Sequence, residues 1–146
     1  MTNRTKAAWV YVVLLALVAY VSLAIAAFAT EIQTRGGYLS DTLRQIQTAE
    51  RNGTDVSITS RVCVSSCTMW LTYQGACISR DTRFKFHCYS VNGECSAKWD
   101  NFAAQQLATV SPVLGDWFAN RVAGSQRLRT IKGAELIDKF NVKECV

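Results

Sequence analysis

The chain has one histidine, one proline and no Cys-x-x-Cys pair. A zinc site fits this poorly, because the nearest approach to a ligand pair is the wider Cys63-x3-Cys67 and only His87 could add an imidazole. No metal and no cofactor are expected. With Pro112 alone and no glycine-rich tract, there is no linker, repeat or low-complexity segment to divide the chain into several domains. Acidic residues are the minority, 11 against 16 basic, for a formal charge of +5. Arg4 and Lys6 account for two of the basic residues, and the 14 that follow are scattered among the 11 acids. That mild excess describes an ordinary solvated surface, and no nucleic-acid partner is expected.

Charge is also missing from Ala7 to Ala29, a 23-residue run made almost entirely of Ala, Val, Leu, Ile and aromatic residues. At about 1.5 Å per residue the run is long enough to cross a hydrocarbon core of roughly 30 Å. The preceding Arg4 and Lys6, with no acid beside them, favour a cytoplasmic tail over residues 1–6. A single-pass membrane protein is expected, with residues 30–146 in the periplasm or extracellular space. Ala27-Phe28-Ala29 also fits a cleavage site, so a signal peptide is the competing reading. The length of the run favours the uncleaved anchor. Trp9 suits the membrane interface.

All six cysteines, Cys63, Cys67, Cys77, Cys88, Cys95 and Cys145, follow the apolar run. An even count in an oxidising compartment points to disulfides, with 15 full pairings open. Cys88 with Cys95 is the best local pair, because Asn92-Gly93 between them is a strong hairpin signal.

The 117 residues from Thr30 are enough for one domain. Thr30–Arg35 reads as a short strand that Gly36-Gly37 breaks. From Tyr38, the spacing of Leu39, Leu43, Ile46 and Ala49 predicts a helix stopped by Gly53. Val56 and Ile58 alternate with Ser57 and Thr59, predicting a strand that runs towards Val62. Met69, Trp70 and Tyr73 suit a helix ending near Gly75. Arg83 to Tyr89 alternates, with Phe84, Phe86 and Cys88 on one face and Arg83, Lys85, His87 and Tyr89 on the other. Trp99, Phe102, Ala103 and Gln106 begin a helical third, Ser111-Pro112 opens a second helix, and Leu136, Ile137 and Phe140 belong to a last one. Trp70, Trp99, Trp117 and Phe118 are expected in the packing between elements. Strands alternating with helices predict an α/β domain with parallel strands and crossover helices.

Three features fall where a serine hydrolase needs them. Gly36-Gly37 opens a helix and can expose backbone N–H groups to a substrate. Ser66 follows a strand and starts a helix, where the positive helix end and the Cys67 N–H favour an oxyanion. His87 follows 21 residues later as the one candidate general base. Taken singly, such a glycine pair is a turn, such a serine a cap, and such a histidine structural.

In this order they resemble the Clp-protease-like branch of the crotonase superfamily, and more narrowly its small exported relatives. The similar stretch runs from Glu31 to His87, with a weaker echo at Thr130–Val142. Its most distinctive part is Cys63-Val64-Ser65-Ser66-Cys67, followed by Phe84-Lys85-Phe86-His87. The resemblance implies a trimmed ββα spiral. It favours Ser66 over Ser65 as nucleophile, since a glycine, here Gly75, stands nine residues later. It further implies that His87 takes the serine proton, that the N–H groups of Gly37 and Cys67 hold the oxyanion, and that Gly36 belongs to the substrate-binding turn. Peptide or other acyl hydrolysis is the implied reaction. Two departures stand against it. The membrane run occupies the place of the family's first strands, which argues against its ring assembly. The position expected for the orienting acid falls near Leu128, where no carboxylate stands. Asp116 or Asp138 could replace it from elsewhere. Without a replacement, the alternatives are a bare Ser–His dyad or an inactive, membrane-tethered interaction scaffold stapled by disulfides.

Overall fold

The computed structural model describes residue 32 and residues 34–145 of the chain. The run from Ala7 to Ala29, and with it both the anchor and the signal-peptide readings, lies outside these. No helix among the described residues is long and apolar enough to cross a membrane.

The domain is mixed α/β with small sheets. Its first helix, α1 (Leu39–Asn52), forms as the spacing predicts: Ile46 and Ala49 are buried on one side, and Gly53 ends it at φ +60° with its N–H turned back to Ala49 and Glu50 carbonyls. Of the strand expected over Thr30–Arg35, the described residues Thr34 and Arg35 form a turn. The alternation from Val56 gives two strands, not one, β1 (Val56–Ile58) and β2 (Val62–Val64). They separate because side chains capture the bend between them: the Ser60 hydroxyl donates to the Val62 carbonyl, and the Thr82 hydroxyl donates to the Ser60 carbonyl at 2.7 Å.

A 3-10 helix (Ser65–Thr72) follows β2 directly. Thr68 and Thr72 each donate a hydroxyl to the carbonyl three residues back, reinforcing the tight winding. Every residue from Ser66 to Leu71 is buried, so this helix runs through the core. Complete burial of side chains such as Met69 stabilises the fold by about 1.5–3 kcal/mol each relative to exposure.

β3 (Ala76–Ile78) lies parallel to β1, and β4 (Arg83–Phe86) lies parallel to β2. These are the parallel pairs with intervening crossovers that the alternation implied. β7 (Arg129–Lys132) departs from it by running antiparallel to β4, which places Lys132 opposite Arg83. Between them, β5 (Ser90–Val91) and β6 (Glu94–Cys95) make a hairpin through Asn92 and Gly93, both at positive φ as a type I′ turn requires.

The helical third folds as α2 (Ala97–Val110), α3 (Pro112–Arg121) and, after β7, α4 (Gly133–Phe140). Pro112 stands at the start of α3, and the Ser111 carbonyl receives the N–H groups of Leu114 and Gly115. Phe86 meets Trp117 edge-on with ring centroids 5.2 Å apart, which locks β4 against α3. Trp70 and Phe118 are buried as expected, whereas Trp99 is only half-buried and turns to a cavity.

Three disulfides use all six cysteines: Cys63–Cys67, Cys77–Cys145 and Cys88–Cys95. The last is the pair expected from the hairpin signal. Cys77–Cys145 straps the end of the described chain to β3, where the Ile78 N–H donates to Lys143 and the Cys145 N–H to Ile78.

Candidate functional site

The parallel pair β2 and β4 ends on one side of its sheet, and both candidate catalytic segments leave from that side. β2 is followed at once by Ser65, which has φ +57°. A non-glycine residue in the left-handed region is uncommon and strained. Here the left-handed step turns an extended strand into the 3-10 helix within one residue. Its consequence is that Ser65 stays at the surface of the core, while Ser66, 1% exposed, and Cys67 pass inside.

A cavity of about 420 Å³ opens at this turn. Ser65 and His87 both line it, together with Gly37, Tyr38 and Leu39 from the start of α1. Ser40, Tyr89, Ser90 and Trp99 complete its lining. Among the described residues no carboxylate lines the cavity, and the imidazole of His87 is its basic side chain. Of the residues the sequence singled out, His87 and Gly37 meet at this cavity. Ser66, Cys67 and Gly36 do not line it, and Ser65 does.

Gly36 nevertheless shapes the site. The Val64 N–H donates to the Thr34 carbonyl at 2.9 Å, drawing the Gly36-Gly37 turn against the end of β2. Gly36 has φ +86°, and a Cβ placed there would lie 3.1 Å from the Ser65 Cβ and 3.2 Å from the Val64 carbonyl oxygen. Only a residue without a side chain fits this approach. Gly75, whose spacing favoured Ser66, has a local reason to be glycine: its Cβ would fall 2.6 Å from the Tyr73 ring. Its position records the packing of that ring and carries no information on which serine faces the cavity.

His87 follows β4 by one residue and is half-buried. Its Nδ1 lies 2.6 Å from the carbonyl oxygen of Cys88. Beyond it, Tyr89 was expected on the polar face of the strand but is buried, because the chain leaves the strand after Phe86. The Tyr89 N–H donates at 2.7 Å to the carboxylate of Asp100, which is 1% exposed, and the Gly124 N–H donates at 2.7 Å to the other oxygen of the same carboxylate. Burial raises the Tyr89 phenol well above its ordinary pKa, a bond to the Thr68 hydroxyl offsets part of that rise, and the nearby Asp100 charge adds a smaller increase.

The other acids considered stand elsewhere. Asp116 is exposed on α3, and both oxygens of Asp138 hold Arg80 at 2.7 and 2.9 Å. Leu128 is 48% exposed just before β7. The Cys63–Cys67 disulfide brackets Ser65 in sequence, yet both cysteines are fully buried and neither lines the cavity. Among the described residues, no group of three or more His, Cys, Asp or Glu side chains is placed to hold a metal ion.

Sequence reasoning missed Ser65 as the serine that lines the cavity, Trp99 as a cavity wall and Asp100 as a buried carboxylate. The one available signal was the Ser65-Ser66 pair at a strand-to-helix junction, where a sharp turn exposes one of two neighbours. No family model matches this chain, and none of the curated proteins searched matches it.

Proposed function

We propose that this protein is a serine hydrolase of peptide or other acyl substrates, with Ser65 as nucleophile and His87 as general base. The observation that carries the reading is the left-handed turn at Ser65, which presents this serine to the cavity that His87 and Gly37 also line. A serine held at a strained junction between strand and helix is what an exposed nucleophile requires. Oγ of Ser65 attacks the substrate carbonyl carbon while Nε2 of His87 takes the hydroxyl proton. The N–H of Gly37, which lines the cavity, donates to the developing oxyanion. The tetrahedral intermediate expels its leaving group with the proton from His87, and water then releases the acyl group by the same route in reverse.

The reading keeps the trimmed Clp-protease-like ββα arrangement and moves its nucleophile from Ser66 to the preceding residue. It also keeps the chain anchored through Ala7–Ala29, with its C-terminal domain across the membrane. Three disulfides support that oxidising location.

The alternative, an inactive tethered scaffold, is favoured by one observation: among the described residues no carboxylate lines the cavity beside His87. A fluorophosphonate probe on the full-length, oxidised chain in detergent separates the two. Label on the wild type that is lost in Ser65→Ala and His87→Ala, and kept in Ser66→Ala, supports the hydrolase. A folded wild type that takes no label leaves the scaffold.

A further inference from the structure

The proposed site has a nucleophile, a base and an oxyanion donor, but no acid stands among the described residues of its cavity. The bonds behind His87 supply one at one remove. A carbonyl oxygen can only accept a hydrogen bond, so the 2.6 Å contact between His87 Nδ1 and the Cys88 carbonyl puts the proton on Nδ1. In the neutral ring this leaves the lone pair on Nε2, which is the form a general base needs.

The carbonyl that does this is held from every side. The Cys88 N–H donates to the Ser125 carbonyl at 2.9 Å, and its side chain is tied to Cys95. The Cys88 carbonyl and the Tyr89 N–H are the two ends of one planar peptide group. That N–H is held by Asp100 Oδ1 at 2.7 Å, and Asp100 Oδ2 is in turn fixed by the Gly124 N–H. A peptide group whose N–H donates to a carboxylate is polarised, and its oxygen becomes a stronger acceptor.

We propose that Asp100 is the positioning residue of this site, acting on His87 through the Cys88–Tyr89 peptide group in place of a carboxylate in direct contact. The inference rests on the assignment of Ser65 and His87 as a nucleophile–base pair. It explains why a carboxylate is buried among backbone donors directly behind the lining residues Tyr89 and Trp99, and why no acid is needed at Leu128.

His87 is the one histidine in the sequence, so ¹⁵N-histidine labelling of the full-length oxidised chain, purified without a polyhistidine tag, gives the signals of this ring alone. In the spectrum of the neutral ring the wild type is expected to show a protonated Nδ1 and a bare Nε2. Asp100→Asn can still accept the Tyr89 N–H but has lost its charge. It is expected to shift the tautomers towards a protonated Nε2 and to slow fluorophosphonate labelling about ten- to a hundred-fold. A purely structural Asp100 would lower thermal stability in the variant and leave the tautomer alone. The proposal is overturned by a wild-type ring protonated on Nε2, or by a folded Asp100→Asn protein with unchanged tautomer and labelling. The wild-type spectrum decides by itself if the variant does not fold. Because the tautomer is read without any labelling, an unlabelled wild type with the expected Asp100-dependent tautomer would sink the hydrolase assignment and leave the positioning intact.

Discussion

Gly36 lies so close to Ser65 that a Cβ on the glycine would stand 3.1 Å from the serine Cβ, while the glycine itself holds φ +86°. The two residues meet at the end of β2, and Ser65 is the one of them that lines the cavity. Gly36→Ala meets both constraints at once. It is expected to destabilise the fold by about 1–2 kcal/mol through the left-handed conformation alone. Displacement of Ser65 is expected to slow probe labelling by about tenfold or more, since small misplacements of reacting groups are costly. Urea denaturation and labelling rates measured on the same preparation check the two effects.

The buried Tyr89 phenol gives a sign for alkaline behaviour. Its pKa in the folded chain is raised by burial, so the folded state holds this proton more tightly than the unfolded state. The associated stability is intact below about pH 10, the ordinary tyrosine value, and is lost as pH rises from there towards the folded pKa. Tyr89→Phe is expected to lose less stability than the wild type between neutral and strongly alkaline pH. The hydroxyl it removes makes only a 3.4 Å contact with Thr68, so little should change at neutral pH. Guanidinium titrations at several pH values test this slope.

The disulfides differ in reach, and their removal should differ accordingly. Cys77 and Cys145 are 68 residues apart, whereas Cys88 and Cys95 are 7 apart. On loop-closure entropy the first contributes roughly 4 kcal/mol and the second roughly 2.5 kcal/mol. Replacing Cys77 and Cys145 together by serine should therefore lower the thermal midpoint more than replacing Cys88 and Cys95. The shorter pair should have the larger effect on labelling, because it fixes the residue whose carbonyl holds His87.

Arg83 and Lys132 face each other across β4 and β7. Like charges directly opposite destabilise a strand pair, and opposite charges contribute about 0.2–1 kcal/mol. Lys132→Glu is expected to raise stability within that range and to leave Ser65 labelling unchanged, since Lys132 lies at the far end of the sheet from the site. A lower midpoint would show that the basic side chain serves another contact.

What the sequence disclosed and what it hid follow from the range of the forces involved. The helix over Leu39–Asn52 was legible because burial of Ile46 and Ala49 and the left-handed stop at Gly53 act within a few residues. The Cys88–Cys95 pair was legible for the same reason, through Asn92 and Gly93. The break between β1 and β2 was not, because the Thr82 hydroxyl that holds it comes from 22 residues away. Asp100 reads in isolation as a solvated residue in the first turn of a helix. It is buried because backbone donors 11 and 24 residues distant converge on it. Which of Ser65 and Ser66 lines the cavity turned on a single φ angle that neither serine betrays.

The strap at Cys145 also sets an order of assembly. Cys63–Cys67 and Cys88–Cys95 each join residues that leave a ribosome or a translocation channel almost together, so either can oxidise while synthesis continues. The outer edge of β3 has to wait: its partners, the Lys143 carbonyl and the Cys145 N–H, emerge 65 or more residues after Ile78 itself. Until then that edge offers unpaired backbone groups to any other strand. Oxidation of Cys77 with Cys145 therefore marks the moment at which a nascent, sticky sheet becomes a finished one.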